Sequence, residues 1–331
     1  MYEIALSVNA CVSSNTRADI AWLVSSTDSV VPMSFDAIAM TPGGGKIGSL
    51  IGSAFDGPLI ELATRKLSTG RIITRVVTDF ESTISNVPAG TTLQFAVMPS
   101  SAIEAGIWQS FLDRESIAIV CHVAGDEIVK TEYFTSVTII AADPQIAEEF
   151  SKNKSTVLNL EDRIVTIYHP ITKLVIAGSG PIADALAKAA QGIGWNVSVD
   201  PRPSIFVGLT ATLSPMDCAV IMGHDVESSS NCLKYALESK AGYIGAMGSR
   251  RTHADRLARL REIGMSESEL ARLRSPIGLD IGPRTPEETA ISIAAEIISD
   301  LTGGSREPLS QGSDPIHKNS LASESGIGPL L

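Results

Sequence analysis

"KLVIAGSGPIADALAKAAQGIGWNVSVDPRP", residues 173–203, is the stretch that decides the fold. The apolar run Leu174–Ala177 ends in Gly178, Ser179 and Gly180; a helical stretch over 181–192 follows, and a second apolar run, Val197–Val199, ends in Asp200. Strand, tight glycine turn, helix and acid-tipped strand are the parts of a dinucleotide-binding unit. The spacing Gly178-x-Gly180-x-x-Ala183 lets a backbone approach a pyrophosphate at a helix N-terminus, where free N–H groups and the helix dipole favour anions. Asp200 stands where an acid accepts hydrogen bonds from a ribose diol and repels a 2′-phosphate. Glycine turns also occur in doubly wound sheets that hold no nucleotide, and Pro181 removes one N–H donor from the cradle. A nucleotide-type pocket and plain turn geometry both stay open.

Further along the chain, the apolar runs Cys218–Met222 and Tyr243–Met247 alternate with helical patterns over roughly 229–239, 250–263, 267–273 and 286–301. The alternation predicts an α/β fold whose C-terminal domain, 172–303, is a Rossmann-like parallel sheet with helices on both faces. The last helix opens with "TPEE", with Thr285 as N-cap, Pro286 in the first turn and Glu288 placed to close a capping box. Residues 1–170 read as a separate, mixed α/β domain. In it "TPGGGKIGSLIGSAFDGPLIELATRKL" gives a glycine-rich loop, a short strand and a helix starting near Asp56 or Pro58. "RIITRVVTDF" and "TTLQFAVMP" alternate like strands, and "NLEDRIVTIYHP" suits a hairpin. Periodicity is lost after Gly303, which predicts a disordered tail over 304–331.

A chain of 331 residues can build two cores. Hydrophobic residues at 44% and charged residues at 19% exclude a disordered chain. The net charge of −11 argues against nucleic acid or an anionic membrane as partner, since phosphates would be repelled. Cys11, Cys121, Cys218 and Cys232 form no C-x-x-C pair and no zinc-type cluster, so free thiols are expected and no metal site. "MYEIALSVNACVSS" has no basic segment before its apolar stretch, and no apolar run reaches the length of a membrane span. A cytoplasmic location is the expectation.

Other candidates fall at the ends of the later strands. "IMGHDVESS" puts His224 and Asp225 just after a strand, where His can transfer a proton that Asp orients; equally, Asp225 can cap the next helix while His224 packs on the loop. No second base or nucleophile lies near in sequence, so catalytic residues stay unassigned. "MGSRRTHADRLARLREIG" carries five arginines. Gly248 and Ser249 turn the chain into a helix headed by Arg250 and Arg251, a favourable place for a phosphate or carboxylate unless both pair with surface acids. Arg256, Arg259 and Arg261 are expected on a solvated helix face. In "SPIGLDIGPRTPEE", Asp280 either reaches the same edge or organises the turn.

Taken in order, "IAGSGPIADAL", "VSVDPRP", "IMGHD", "YIGAMGSRRT" and "SPIGLDIGPRTPEETAISIAAEI" resemble the xanthine dehydrogenase accessory factor family, XdhC/CoxI, nearly unbroken from 172 to 303. "GGGKIGSLIGSAFDGPLIELA" resembles the family's other domain more loosely. The resemblance implies a non-catalytic chaperone that binds molybdenum cofactor, guards its sulfurated form and delivers it to a molybdenum hydroxylase of the xanthine or carbon monoxide dehydrogenase type. It also implies a cysteine desulfurase and a homodimer among the partners. The cofactor carries a phosphate or a nucleotide, so a phosphate-ready turn suits it. The family's N-terminal loop usually reads Gly-Gly-Cys followed by an acid; here it is Gly52, Ser53, Ala54, Phe55 and Asp56, and a methyl group neither ligates molybdenum nor holds a persulfide. A second Cys-Gly-Gly element is replaced by "AGTTLQFAV". Two other classes of function stay open: an NAD(P)-dependent oxidoreductase using Gly178, Gly180 and Asp200, and a degenerate paralogue acting as an interaction scaffold.

Overall fold

The computed structural model describes residues 1–28, 35–223 and 225–311. In its N-terminal half, nine strands form one antiparallel sheet among these residues: β1 (Asp19–Ser26), β2 (Ala37–Met40), β3 (Lys46–Gly48), β4 (Gly70–Val76), β5 (Thr92–Pro99), β6 (Ile117–Ala124), β7 (Glu127–Thr135), β8 (Thr156–Asn159) and β9 (Arg163–Tyr168). They lie in the order β3-β2-β1-β5-β4-β7-β6-β9-β8. The sheet curls until β1 faces β9 across the core, where Trp22 Nε1 donates to Thr166 Oγ1 over 3.0 Å. Helices α1 (Ala5–Ser13), α2 (Asp56–Thr64), α3 (Asp79–Ser85), α4 (Gly106–Leu112) and α5 (Pro144–Ser151) cover it. The expected strand β3, helix α2, strands β4 and β5 and hairpin β8–β9 are all present. "RIITRVVTDF" is only partly strand: Thr78 accepts from Glu81 N and Glu81 reaches back to Thr78 N, a capping box that starts α3 at Asp79.

The C-terminal half is the expected parallel sheet. Strands β10 (Lys173–Ala177), β11 (Asn196–Asp200), β12 (Cys218–Ile221), β13 (Tyr243–Ala246) and β14 (Leu273–Arg274) run in the order β11-β10-β12-β13-β14. Period-two alternation sorts their side chains. Leu174, Ile176, Cys218 and Val220 pack under α6 (Pro181–Gly192) and α11 (Pro286–Thr302). Val175, Ala177, Ala219 and Ile221 pack under α7 (Pro203–Thr210), α8 (Val226–Glu238), α9 (Arg250–Glu262) and α10 (Glu267–Leu270) on the other face. Thr285 and Glu288 close the expected capping box at α11. The helix expected over 267–273 stops at Leu270, because Leu273 and Arg274 pair with β13.

Residues beyond Gly303 differ from expectation where they are described. Gly303 ends α11 in the left-handed region, and Arg306 then donates to Ser299 and pairs with Asp300, holding the chain on α11. Residues 312–331 of the expected tail lie outside the described residues. Among the described residues, no helix is long and apolar enough to cross a membrane.

The two halves join at the amino-terminal edge of the parallel sheet. Asp217, fully buried just before β12, accepts from Lys173 N (2.8 Å), Ser214 N (2.8 Å), Ser214 Oγ (2.8 Å) and Arg114 Nη2 (3.0 Å). Asn153 Nδ2 donates to Leu301 O near the end of α11 (2.9 Å). The carboxyl edge, where open sheets hold ligands, faces away from this seam.

Candidate functional site

Strand order fixes where a ligand can sit. Chain connections leave β10 in opposite directions, so the crevice between the carboxyl ends of β10 and β12 is the topological switch point. The β10–α6 turn passes tightly against β12: Gly178 has φ of +130°, and an added Cβ would lie 2.9 Å from Met222 Cβ. Gly180, with φ of +112°, has nothing within 4 Å of such a Cβ, so its outer face is open. Ser179 lies between them, and Pro181 opens α6 without an N–H. A cavity of about 110 Å³ lies beside the turn, lined by Gly178, Pro201, Pro203, Gly223, Asp225 and Ser229 among others. That volume admits a phosphate-sized group; a whole nucleotide must lie across the open edge.

Asp200 ends β11, and its main-chain oxygen accepts from Gly178 N (3.1 Å). Its carboxylate is already gripped. Arg202 donates from Nε to Oδ1 (2.9 Å), from Nη2 to Oδ2 (2.6 Å) and from its backbone N to Oδ1 (2.8 Å). These bonds hold the Asp200 carboxyl down to about 2. Any ribose meeting this tip meets an ion pair, not a bare acid.

Asp225 caps α8, accepting from Ser228 N over 2.7 Å. A carboxylate therefore occupies the positive end of that helix, which disfavours a second anion there. His224 lies outside the described residues.

The β13–α9 turn is different. Ser249, a neutral cap, accepts from Thr252 N (3.1 Å), and the preceding Gly248 has φ of +154°. Arg250 and Arg251 are exposed, and among the described residues neither forms an ion pair. The helix start combines free N–H groups, the dipole and two uncommitted guanidinium groups.

Arg256 corrects the expectation of a solvated face. It is fully buried, reaching back under the sheet edge to donate from Nε to Ser229 Oγ (2.9 Å), Nη1 to Met247 O (2.7 Å) and Nη2 to Gly223 O (2.6 Å). Arg259 and Arg261 do stand outside, paired with Glu227 and Glu262, and with Glu267.

Asp280 is exposed on the loop that leaves β14, and this loop is fastened to α11 by Gly278 N on Glu296 Oε2 (2.8 Å) and Ser292 Oγ on Leu279 O (2.6 Å). Topology thus gathers Gly178, Ser179, Gly180, Asp200, Asp225, Gly248, Ser249, Arg250 and Arg251 at one edge of one sheet, with Asp280 following its last strand.

The N-terminal candidates stand on the other sheet. Ile51, Gly52 and Ser53 are all left-handed, with φ of +48°, +66° and +69°, which is strained for a β-branched residue. Asp56 is buried, accepts from Leu50 N (3.1 Å) and pairs with Lys46, pinning the loop. Ala54, at the position where the resemblance implies a cysteine, is half-buried and presents only a methyl group. Cys11 is partly exposed and lines an apolar pocket of about 290 Å³ together with Lys46, so a thiol does stand near this loop's anchor. The other three cysteines are buried, and burial pushes the Cys121 thiol up to about 12 and those of Cys218 and Cys232 upward. Sequence reasoning missed Asp217, Arg114 and the buried role of Arg256.

Comparison with known proteins falls on the half of the chain that carries the parallel sheet. The model of the XdhC Rossmann domain matches residues 174–297. The molybdenum cofactor insertion chaperone PaoD of Escherichia coli is 33% identical over 133 residues, covering 40% of this chain and 41% of PaoD. A probable xanthine dehydrogenase subunit from Bacillus subtilis is 30% identical over 148 residues, 39% of this chain and 43% of that protein. The matches therefore span about two fifths of these relatives' own length. A solved structure of a xanthine dehydrogenase from Bacillus halodurans covers 94% of this chain and 98% of its own at 20% identity, with a TM-score of 0.43. From β10 to the body of α11, residues 174–297 of this chain match the XdhC Rossmann domain family.

Proposed function

We propose that this chain is a cytoplasmic accessory factor that holds molybdenum cofactor and passes it to a molybdenum hydroxylase of the xanthine dehydrogenase type. The carrying observation is the XdhC Rossmann match over 174–297, laid on a carboxyl edge with uncommitted cationic groups. In this reading residues 1–170 and 172–303 are two domains and the second holds the phosphate end of the cofactor. Gly180 leaves room for the backbone approach, and Arg250 and Arg251 with the first turn of α9 supply charge and donors. The residues fit the phosphate end and not a thiolate grip on the metal at Ala54. The bound cofactor would supply the metal that the client enzyme uses; this chain's part is to bind, orient and shield. A cysteine desulfurase and a second copy of the chain belong to the same proposal as partners.

The test is a titration of molybdenum cofactor, NAD(H) and NADP(H) against the purified full chain. Saturable binding of the cofactor, with weak or absent nicotinamide binding, supports the reading. Tight nicotinamide binding with a substrate-dependent absorbance change replaces it with an oxidoreductase. No ligand binding but retained capture of a purified hydroxylase replaces it with a scaffold.

A further inference from the structure

Arg256 is a buried charge that no acid among the described residues answers. All three of its described acceptors are neutral, namely Ser229 Oγ, Met247 O and Gly223 O, and among the described residues it has no ion pair. Burial alone shifts its pKa, downward, with no acid offsetting it; burial first and then the Arg256 charge lower that of His253 one turn earlier. Burying an unpaired cation is strongly unfavourable, so a purely structural fastening would be better served by neutral donors.

Its position suggests what the charge is for. The two carbonyls that it holds lie just past the carboxyl ends of β12 and β13. In a planar trans peptide the C=O and N–H point opposite ways. Drawing the Met247 carbonyl inward therefore turns the Gly248 N–H outward, ahead of Arg250 and Arg251, and that N–H has no protein acceptor among the described residues.

We infer that Arg256 is a positioning residue for the carboxyl-edge site, aiming the β12 and β13 turns and supplying a fixed positive potential for a pyrophosphate-bearing ligand that it does not touch. This rests on the proposed phosphate reading of that edge and adds the residue that shapes it from below.

Calorimetry with inorganic pyrophosphate on the full chain, at low and moderate salt, provides the test. Arg256→Gln keeps a donor and removes the charge; Arg259→Gln makes the same change in net charge on the outer face of α9. The first should weaken binding by about tenfold or more and flatten its salt dependence, while the second stays within about twofold. In the wild-type chain, the buried Arg256 Nε–H resonance should shift with pyrophosphate and not with chloride, a readout that decides the matter even where Arg256→Gln does not fold. A folded Arg256→Gln with unchanged affinity and salt dependence overturns the inference, as does an Nε–H unmoved by bound pyrophosphate. Wild-type chain that binds no pyrophosphate overturns the phosphate reading itself and this inference with it.

Discussion

Replacing Asp217 by Ala should destabilise the chain more than any single change at the ligand edge. The carboxylate is fully buried and accepts two backbone N–H groups, a hydroxyl and the Arg114 guanidinium at 2.8–3.0 Å. Among the described residues, an alanine leaves Lys173 N and Ser214 N without these acceptors, while Arg114, whose side chain is 20% exposed, keeps Ile171 O. Breaking a buried pair from one side costs about 3–5 kcal/mol. For domains of this size, that corresponds to a melting temperature lower by roughly 6–20 °C. Arg114→Ala should cost less, about 1–2 kcal/mol, because Asp217 keeps its three other donors. Denaturant and thermal unfolding of both single variants and the double variant give the coupling directly. A loss under about 1 kcal/mol for Asp217→Ala, or equal losses for the two single variants, would refute this view of the seam.

At the ligand edge, Arg250→Ala or Arg251→Ala should weaken binding of a phosphate-bearing ligand about tenfold with the melting temperature unchanged; equal affinities at low and moderate salt would show that neither group faces the ligand. Burial holds His169 down to about 4, with Nδ1 on Ser116 Oγ at 2.7 Å, so the folded chain keeps it neutral. Its contribution is full above the usual 6.5 and is lost as pH falls from there towards 4, by up to about 3 kcal/mol. His169→Gln should flatten the stability profile across that window, and an unchanged slope would count against the assignment. The Asp200 carboxyl should titrate at about 2 by carbon NMR and return towards 3.8 in Arg202→Ala; no upward movement would mean that the ion pair does not form in solution.

Particular residues show why some of this was legible in sequence and some was not. The alternation of apolar runs with amphipathic helices is set by main-chain geometry, so β10 to β13 and the Thr285–Glu288 box could be read directly. Helix α7, "PSIFVGLT", was not: it is apolar along its length and carries β-branched residues and a glycine, so it has no helical face to read. Arg256 looked like one more charge on a solvated helix. Its signal was spacing, since it stands four residues before the buried Leu260 on the inward line of α9. Asp217 had no local signal at all, because its partners Arg114 and Lys173 come near it only through the packing of two sheets. The strands of the curled sheet pair over long sequence distances, and their buried runs are as apolar as helix cores, which left β1, β2, β6 and β7 unassigned.

Hydrogen exchange with and without molybdenum cofactor shows where on the chain the ligand sits. The amides of the β10–α6 turn, 178–184, and of the β13–α9 turn, 247–252, should become protected together, at cofactor concentrations matching the measured affinity. Protection confined to the antiparallel sheet, or to the Gly52–Asp56 loop, with both turns unchanged, would contradict the placement of the ligand at the carboxyl edge.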